Sequence, residues 1–177
     1  MCWSAEASIT TWLLTMCFAA ASNGHVDPKL WMFAFTFSQI QLAEFFIWKD
    51  LNSKLAALFG LFVILMEPIA SINLIKEDNL RKLMWTVYIG GVVTTLLTHK
   101  LTLRNEVGEN GHLKWLWLDY GNIAAALWFF MFLFPLWYAG YNHVFLFGVA
   151  TMITSLYFYE KYGTFSTMWC WFATFGW

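Results

Sequence analysis

Residues Trp115 to Tyr159 read WLWLDYGNIAAALWFFMFLFPLWYAGYNHVFLFGVATMITSLYFY, an apolar run whose only acid is Asp119. It is far too long for one helical crossing of a ~30 Å hydrocarbon core. Pro135, followed by Ala139-Gly140-Tyr141-Asn142, supplies a break, because proline and glycine interrupt the helical ladder and favour turns. The run is therefore two helices. A chain with two such neighbours reads as an all-α, polytopic integral membrane bundle.

Upstream, the same pattern of apolar runs and short polar breaks repeats. A first helix is expected over roughly Ala5 to Ser22 and ends at Asn23-Gly24-His25. Asp27-Pro28 then opens a second, about Lys29 to Trp48, as a cap followed by a first-turn proline. A third follows Lys49-Asp50-Leu51-Asn52-Ser53-Lys54 and runs to about Leu74, with a kink expected at Pro68. Lys76-Glu77-Asp78-Asn79 separates it from a fourth, about Leu80 to His99. Lys100 to Lys114 reads as a solvated loop with room for a small hairpin. Downstream, Glu160-Lys161-Tyr162-Gly163 precedes a last segment, Thr164 to Trp177, which at 1.5 Å per residue is ~21 Å and short for a full crossing. The expectation is about seven transmembrane helices forming a single domain over residues 1–177, with no repeat or linker dividing it.

Composition agrees with that solvent. Of the 177 residues, 60% are hydrophobic and 12% charged, and the mean hydropathy is +0.56; a soluble domain of this size cannot hide so much apolar surface. Eighteen Phe, twelve Trp and seven Tyr suit interfacial belts and packing around a cavity. A net charge of −1 leaves no electrostatic footprint for nucleic acid. The expected partners are the lipid bilayer, other membrane proteins or further copies of the chain, and a small solute or ion. Three cysteines, Cys2, Cys17 and Cys170, show neither a CxxC pair nor metal-ligand spacing, and His25, His99, His112 and His143 form no HxxxH pair. Neither a metal site nor a cofactor is expected. The first apolar stretch lacks a basic leader, so it does not read as a cleavable signal. Six basic residues lie on the amino-terminal side of the bundle and four on the other, which leans toward a cytoplasmic amino terminus.

Counting crossings also sorts the polar residues by side. Glu44 near the end of the second helix, His99 at the end of the fourth, Asp119 early in the fifth and Ser166 to Cys170 early in the seventh all fall on the amino-terminal side, as does the opening Met1-Cys2-Trp3-Ser4-Ala5-Glu6-Ala7-Ser8. An ionisable group in a spanning helix costs about 2.5–3.5 kcal/mol on insertion scales, so it faces the bundle and finds partners. Ser38, Gln41, Glu44 and Trp48 make one stripe at helical spacing, and Ser4, Ser8, Thr11 and Thr15 another. Stripes of small and hydroxylated residues also serve simply to pack membrane helices. Glu67, beside Pro68 and one turn before Ser71, lies past the midplane of the third helix. The candidate path is thus Cys2, Ser4, Gln41, Glu44, Glu67, His99, Asp119 and Cys170, with Trp3, Trp48 and Trp169 as an aromatic wall.

The opening Met1-Cys2-Trp3-Ser4-Ala5, the Gln41-x-x-Glu44 stripe continued by Trp48, and the closing Ser166-x-x-Trp169-Cys170-Trp171 resemble a family of small polytopic proteins of bacteria and of large DNA viruses of algae and protists. Its members begin M-C-[F/W]-S-A. The resemblance implies a multi-helix topology and points to the same residues, but supplies no activity. Three functions fit the residues. Translocation of protons, ions or a small solute rests on Glu44 and Glu67. A membrane enzyme would use Cys2 or Cys170 as nucleophile, His99 as base and Glu44 or Asp119 as orienter. The third is a structural subunit of a larger membrane assembly.

Overall fold

The computed structural model describes residues 3–118 and 121–176. Seven helices dominate: α1 (Ala5–Ser22), α2 (Pro28–Lys49), α3 (Lys54–Ile72), α4 (Asp78–Thr98), α5 (Gly121–Tyr138), α6 (Asn142–Tyr159) and α7 (Phe165–Ala173). Caps set their starts. Ser4 accepts from Ala7 N and begins α1, and Ser53 accepts from Ala56 N and begins α3. Asp27 accepts from the N–H groups of Lys29 at 2.8 Å and Leu30 at 3.4 Å ahead of Pro28, the arrangement that supplies acceptors to orphan donors. Those bonds, the one from Lys29 first, hold the Asp27 carboxyl below the usual aspartate range.

Successive helices run up and down. At one end, Trp3 ahead of α1 meets His112 in the α4–α5 connection and Trp171 of α7, and Lys49 at the end of α2 pairs with Glu6. At the other, Tyr138 at the end of α5 donates to Glu77 ahead of α4 at 2.7 Å. Short turns join antiparallel neighbours everywhere but between α4 and α5, where residues 99–120 intervene.

Of the two helix-interior prolines, Pro68 is answered across the α3–α5 interface. Pro68 has no N–H to give the carbonyl of Ile64, four residues back, and Trp128 Nε1 of α5 donates to that oxygen at 2.8 Å. Pro135 gives no N–H to the carbonyl of Met131, and one residue on Ser71 Oγ of α3 donates to Phe132 O at 2.5 Å. α3 and α5 are therefore clasped twice at their weakened turns. Around the clasp the rings of Phe33, Phe37, Trp128, Phe129, Phe132 and Trp169 interlock at centroid distances of 5.1–6.2 Å.

Three expectations need correction. Lys100 to Lys114 is not simply a solvated loop: β1 (Asn105–Val107) pairs antiparallel with β2 (Leu113–Trp115), and the hairpin turns one face inward. Leu113, Trp115 and Trp117 alternate along the chain and are all buried, the period of a half-buried strand. That alternation also delays α5. Leu116–Leu118 is a 3-10 turn, and the helix begins at Gly121 rather than at Trp115. The last helix is shorter than the segment expected, nine residues or about 14 Å. By length and composition, α2 and α3 are apolar and long enough to cross a membrane, and Ile123–Tyr138 within α5 is a shorter apolar helix.

Candidate functional site

The polar face of α2 is fully enclosed. Ser38 is 2% exposed, and Gln41 and Glu44 are 0%. Glu44 turns toward α1, whose Ser8 and Thr11 are likewise buried. Ser8 Oγ donates to Glu44 Oε2 across the interface at a long 3.5 Å. That bond joins the two stripes at one point, while Thr15 and Ser38 bond carbonyls of their own helices. Further along the same interface, Trp12 Nε1 donates to Gln39 Oε1 at 3.3 Å.

Glu67 sits apart from that interface, on α3 beside Pro68. It is 0% exposed, and neither carboxyl oxygen has a hydrogen-bond partner among the described residues. Across the α3–α4 contact Tyr88 is buried, and its hydroxyl donates to Leu65 O, two residues before Glu67, at 2.7 Å. Ser71, one turn on, is committed to Phe132 O. Most buried polar groups find a partner, so an orphaned carboxyl calls for an explanation.

The other candidates fall in several places. Cys2 and Asp119 lie outside the described residues. Ser4 is the cap of α1. His99 is an exposed residue ending α4, with Nδ1 2.9 Å from Thr98 Oγ1. Cys170 is 1% exposed, whereas Cys17 on α1 is exposed. Trp48 is half-buried, with its indole N–H unpartnered among the described residues. Trp169 lies deeper than the bundle end, donating to Gly148 O at 3.0 Å. Trp171, rather than Trp169, meets Trp3.

Sequence reasoning missed the hairpin's share of this end. Trp3 Nε1 donates to His112 Nε2 at 3.1 Å. His112 also meets Tyr159 edge-on. Asn110 Nδ2 donates to Thr164 Oγ1 and Thr167 Oγ1 to Leu113 O, both at 2.8 Å, so α7 is held to the hairpin. Trp117 is fixed by a 2.8 Å bond from its Nε1 to Asn105 Oδ1, and it presses so closely on Gly60 of α3 that a Cβ there would stand 2.9 Å from the indole ring. The signal available in the sequence was the Leu113, Trp115, Trp117 alternation.

Tyr88 also lines a cleft of about 740 Å³ between α3, α4, α5 and the start of α7, half open to the outside and mainly apolar. Neither Glu44 nor Glu67 is in its wall. Comparison with known protein families, with curated proteins and with solved structures finds no match, so residues and geometry alone carry the functional reading.

Proposed function

We propose that this is an integral membrane protein, with α1 to α6 as crossings and α7 as a half-length helix entering from the hairpin end, that moves protons by way of Glu44 and Glu67. Membrane placement is supported by large apolar side chains turned outward all around the bundle. Phe18 is 72% exposed, Leu55 77%, Leu97 82%, Ile123 88% and Tyr157 81%. Water tolerates single exposed apolar residues but not a continuous apolar mantle.

The observation that carries the proton reading is Glu67, enclosed and without a hydrogen-bond partner among the described residues. Such a group in a spanning helix is expensive and marks an ion or proton route. A single enclosed carboxyl suits a proton better than a hard cation, which takes six or more oxygen ligands. Ser8 gives Glu44 one hydroxyl neighbour. Purified protein in liposomes should dissipate an imposed pH gradient, and Glu44→Gln and Glu67→Gln should each slow it by about tenfold or more, a change worth at least ~1.4 kcal/mol. Flux no faster than that of empty liposomes overturns the reading.

One observation favours a second reading, a subunit of a larger membrane assembly. α4 buries only Met84 and Tyr88 and presents Leu83, Val87, Val93 and Leu97 outward, a flank that fits another spanning helix as well as lipid.

A further inference from the structure

We infer that the cleft between α3, α4 and α5 holds one phospholipid of the surrounding bilayer, a lipid with a zwitterionic headgroup. The inference rests on the membrane placement proposed above but not on proton movement.

Two cavities meet at Lys114. The first is the apolar cleft of about 740 Å³, with Leu61, Tyr88, Leu96, Ala125, Trp128 and Phe165 in its wall. The second, about 390 Å³ and mainly polar, lies between the hairpin and the turn after α6, and is lined by Glu106, Glu109, Lys114, Lys161 and Tyr162. Both include Lys114 and Gly163. Gly163 has a left-handed φ of +67°, and a Cβ there would stand 2.9 Å from Lys114 Cε. The missing side chain lets the lysine stem pass along the boundary between the two spaces.

An apolar slot at membrane depth, continuous with a polar cleft at the membrane edge, has the shape of a tail site joined to a head site. Its larger part falls within the ~300–1,000 Å³ range of ligand pockets. Charge selects the head. Lys114 and Lys161 face Glu106 and Glu109, so the polar cleft is formally neutral, and a zwitterion complements it better than an anion. Lys114 Nζ already pairs with Glu106 Oε1 at 2.8 Å, which leaves Lys161 for the phosphate and Glu109 for the ammonium. Lys161 Nζ stands 4.7 Å over the Tyr162 ring, exposed at the rim.

The test is native mass spectrometry of the full chain released from nanodiscs made of equal parts phosphatidylethanolamine and phosphatidylglycerol. The expected result is about one retained phosphatidylethanolamine per chain, cut about tenfold by Ala125→Trp, which fills the slot, and by Lys161→Glu, which reverses the head contact. Leu55→Trp, on an exposed flank of α3 outside the slot, should leave retention unchanged. Retained lipid in the bulk ratio, a preference for phosphatidylglycerol, or undiminished retention in folded Ala125→Trp overturns the inference. Should Ala125→Trp not fold, undiminished retention in Lys161→Glu overturns it instead. Failure of the chain to enter nanodiscs defeats the membrane placement, whereas entry without a retained lipid defeats only the cleft.

Discussion

Glu67 lowers the stability of the fold where it stands, because its two carboxyl oxygens are buried and neither finds a donor among the described residues. Leaving a buried polar group unsatisfied costs about 1–3 kcal/mol, and removing the group removes the cost. Glu67→Met keeps the reach of the side chain and should therefore raise the unfolding free energy by about 1–3 kcal/mol while abolishing proton flux. Thermal unfolding in detergent and the liposome assay check the two halves separately. Lower stability in Glu67→Met would mean that the carboxyl has a structural partner. Glu44 contrasts with it, since Ser8 of the neighbouring helix donates to it. The identity of both acids as buried groups was legible from their helical positions. What was not legible is which of them has a partner, because that depends on the neighbouring helix.

At the scale of elements, the α3–α5 clasp explains how two proline-bearing helices pack at the centre of the bundle. Trp128→Phe keeps the ring among Phe129, Phe132 and Trp169 but withdraws the donor from Ile64 O. It should cost about 1–3 kcal/mol, with Ser71→Ala costing a similar amount by freeing Phe132 O. A double-mutant cycle should give a coupling above ~0.5 kcal/mol, since the two bonds hold the same pair of turns. Strict additivity would show that each proline is accommodated within its own helix. The prolines were visible in the sequence, and a kink at Pro68 was expected from them. The cross-helix bonds to Ile64 O and Phe132 O were not, because the donors lie 64 and 61 residues away along the chain.

On the scale of the whole molecule, helix boundaries were legible wherever a cap or a Pro-Gly break marked them, as at Asp27-Pro28 and Ala139-Gly140. Legibility failed between Lys100 and Gly121, where polar composition hid a buried strand face and an apolar run concealed the late start of α5. The hairpin in turn depends on α7. Thr167→Val removes the hydroxyl bonded to Leu113 O and should cost about 1–2 kcal/mol. It should speed amide exchange across 105–107 and 113–115 while α1 to α3 keep their protection; equal loosening of every helix would show instead that the bundle opens as one unit.

The dependence of the hairpin on α7 also has a consequence in time. During synthesis α1, α2 and α3 can pack on one another as soon as they emerge, since their contacts are between neighbours in the chain. Asn110 and Leu113 must wait for Thr164 and Thr167, which the ribosome delivers some fifty residues later, about 3–10 s at 5–20 residues per second. Through that interval the nascent chain lacks the contacts of Trp3 with Trp171, and the end of the bundle that carries Glu44 is the last to be closed.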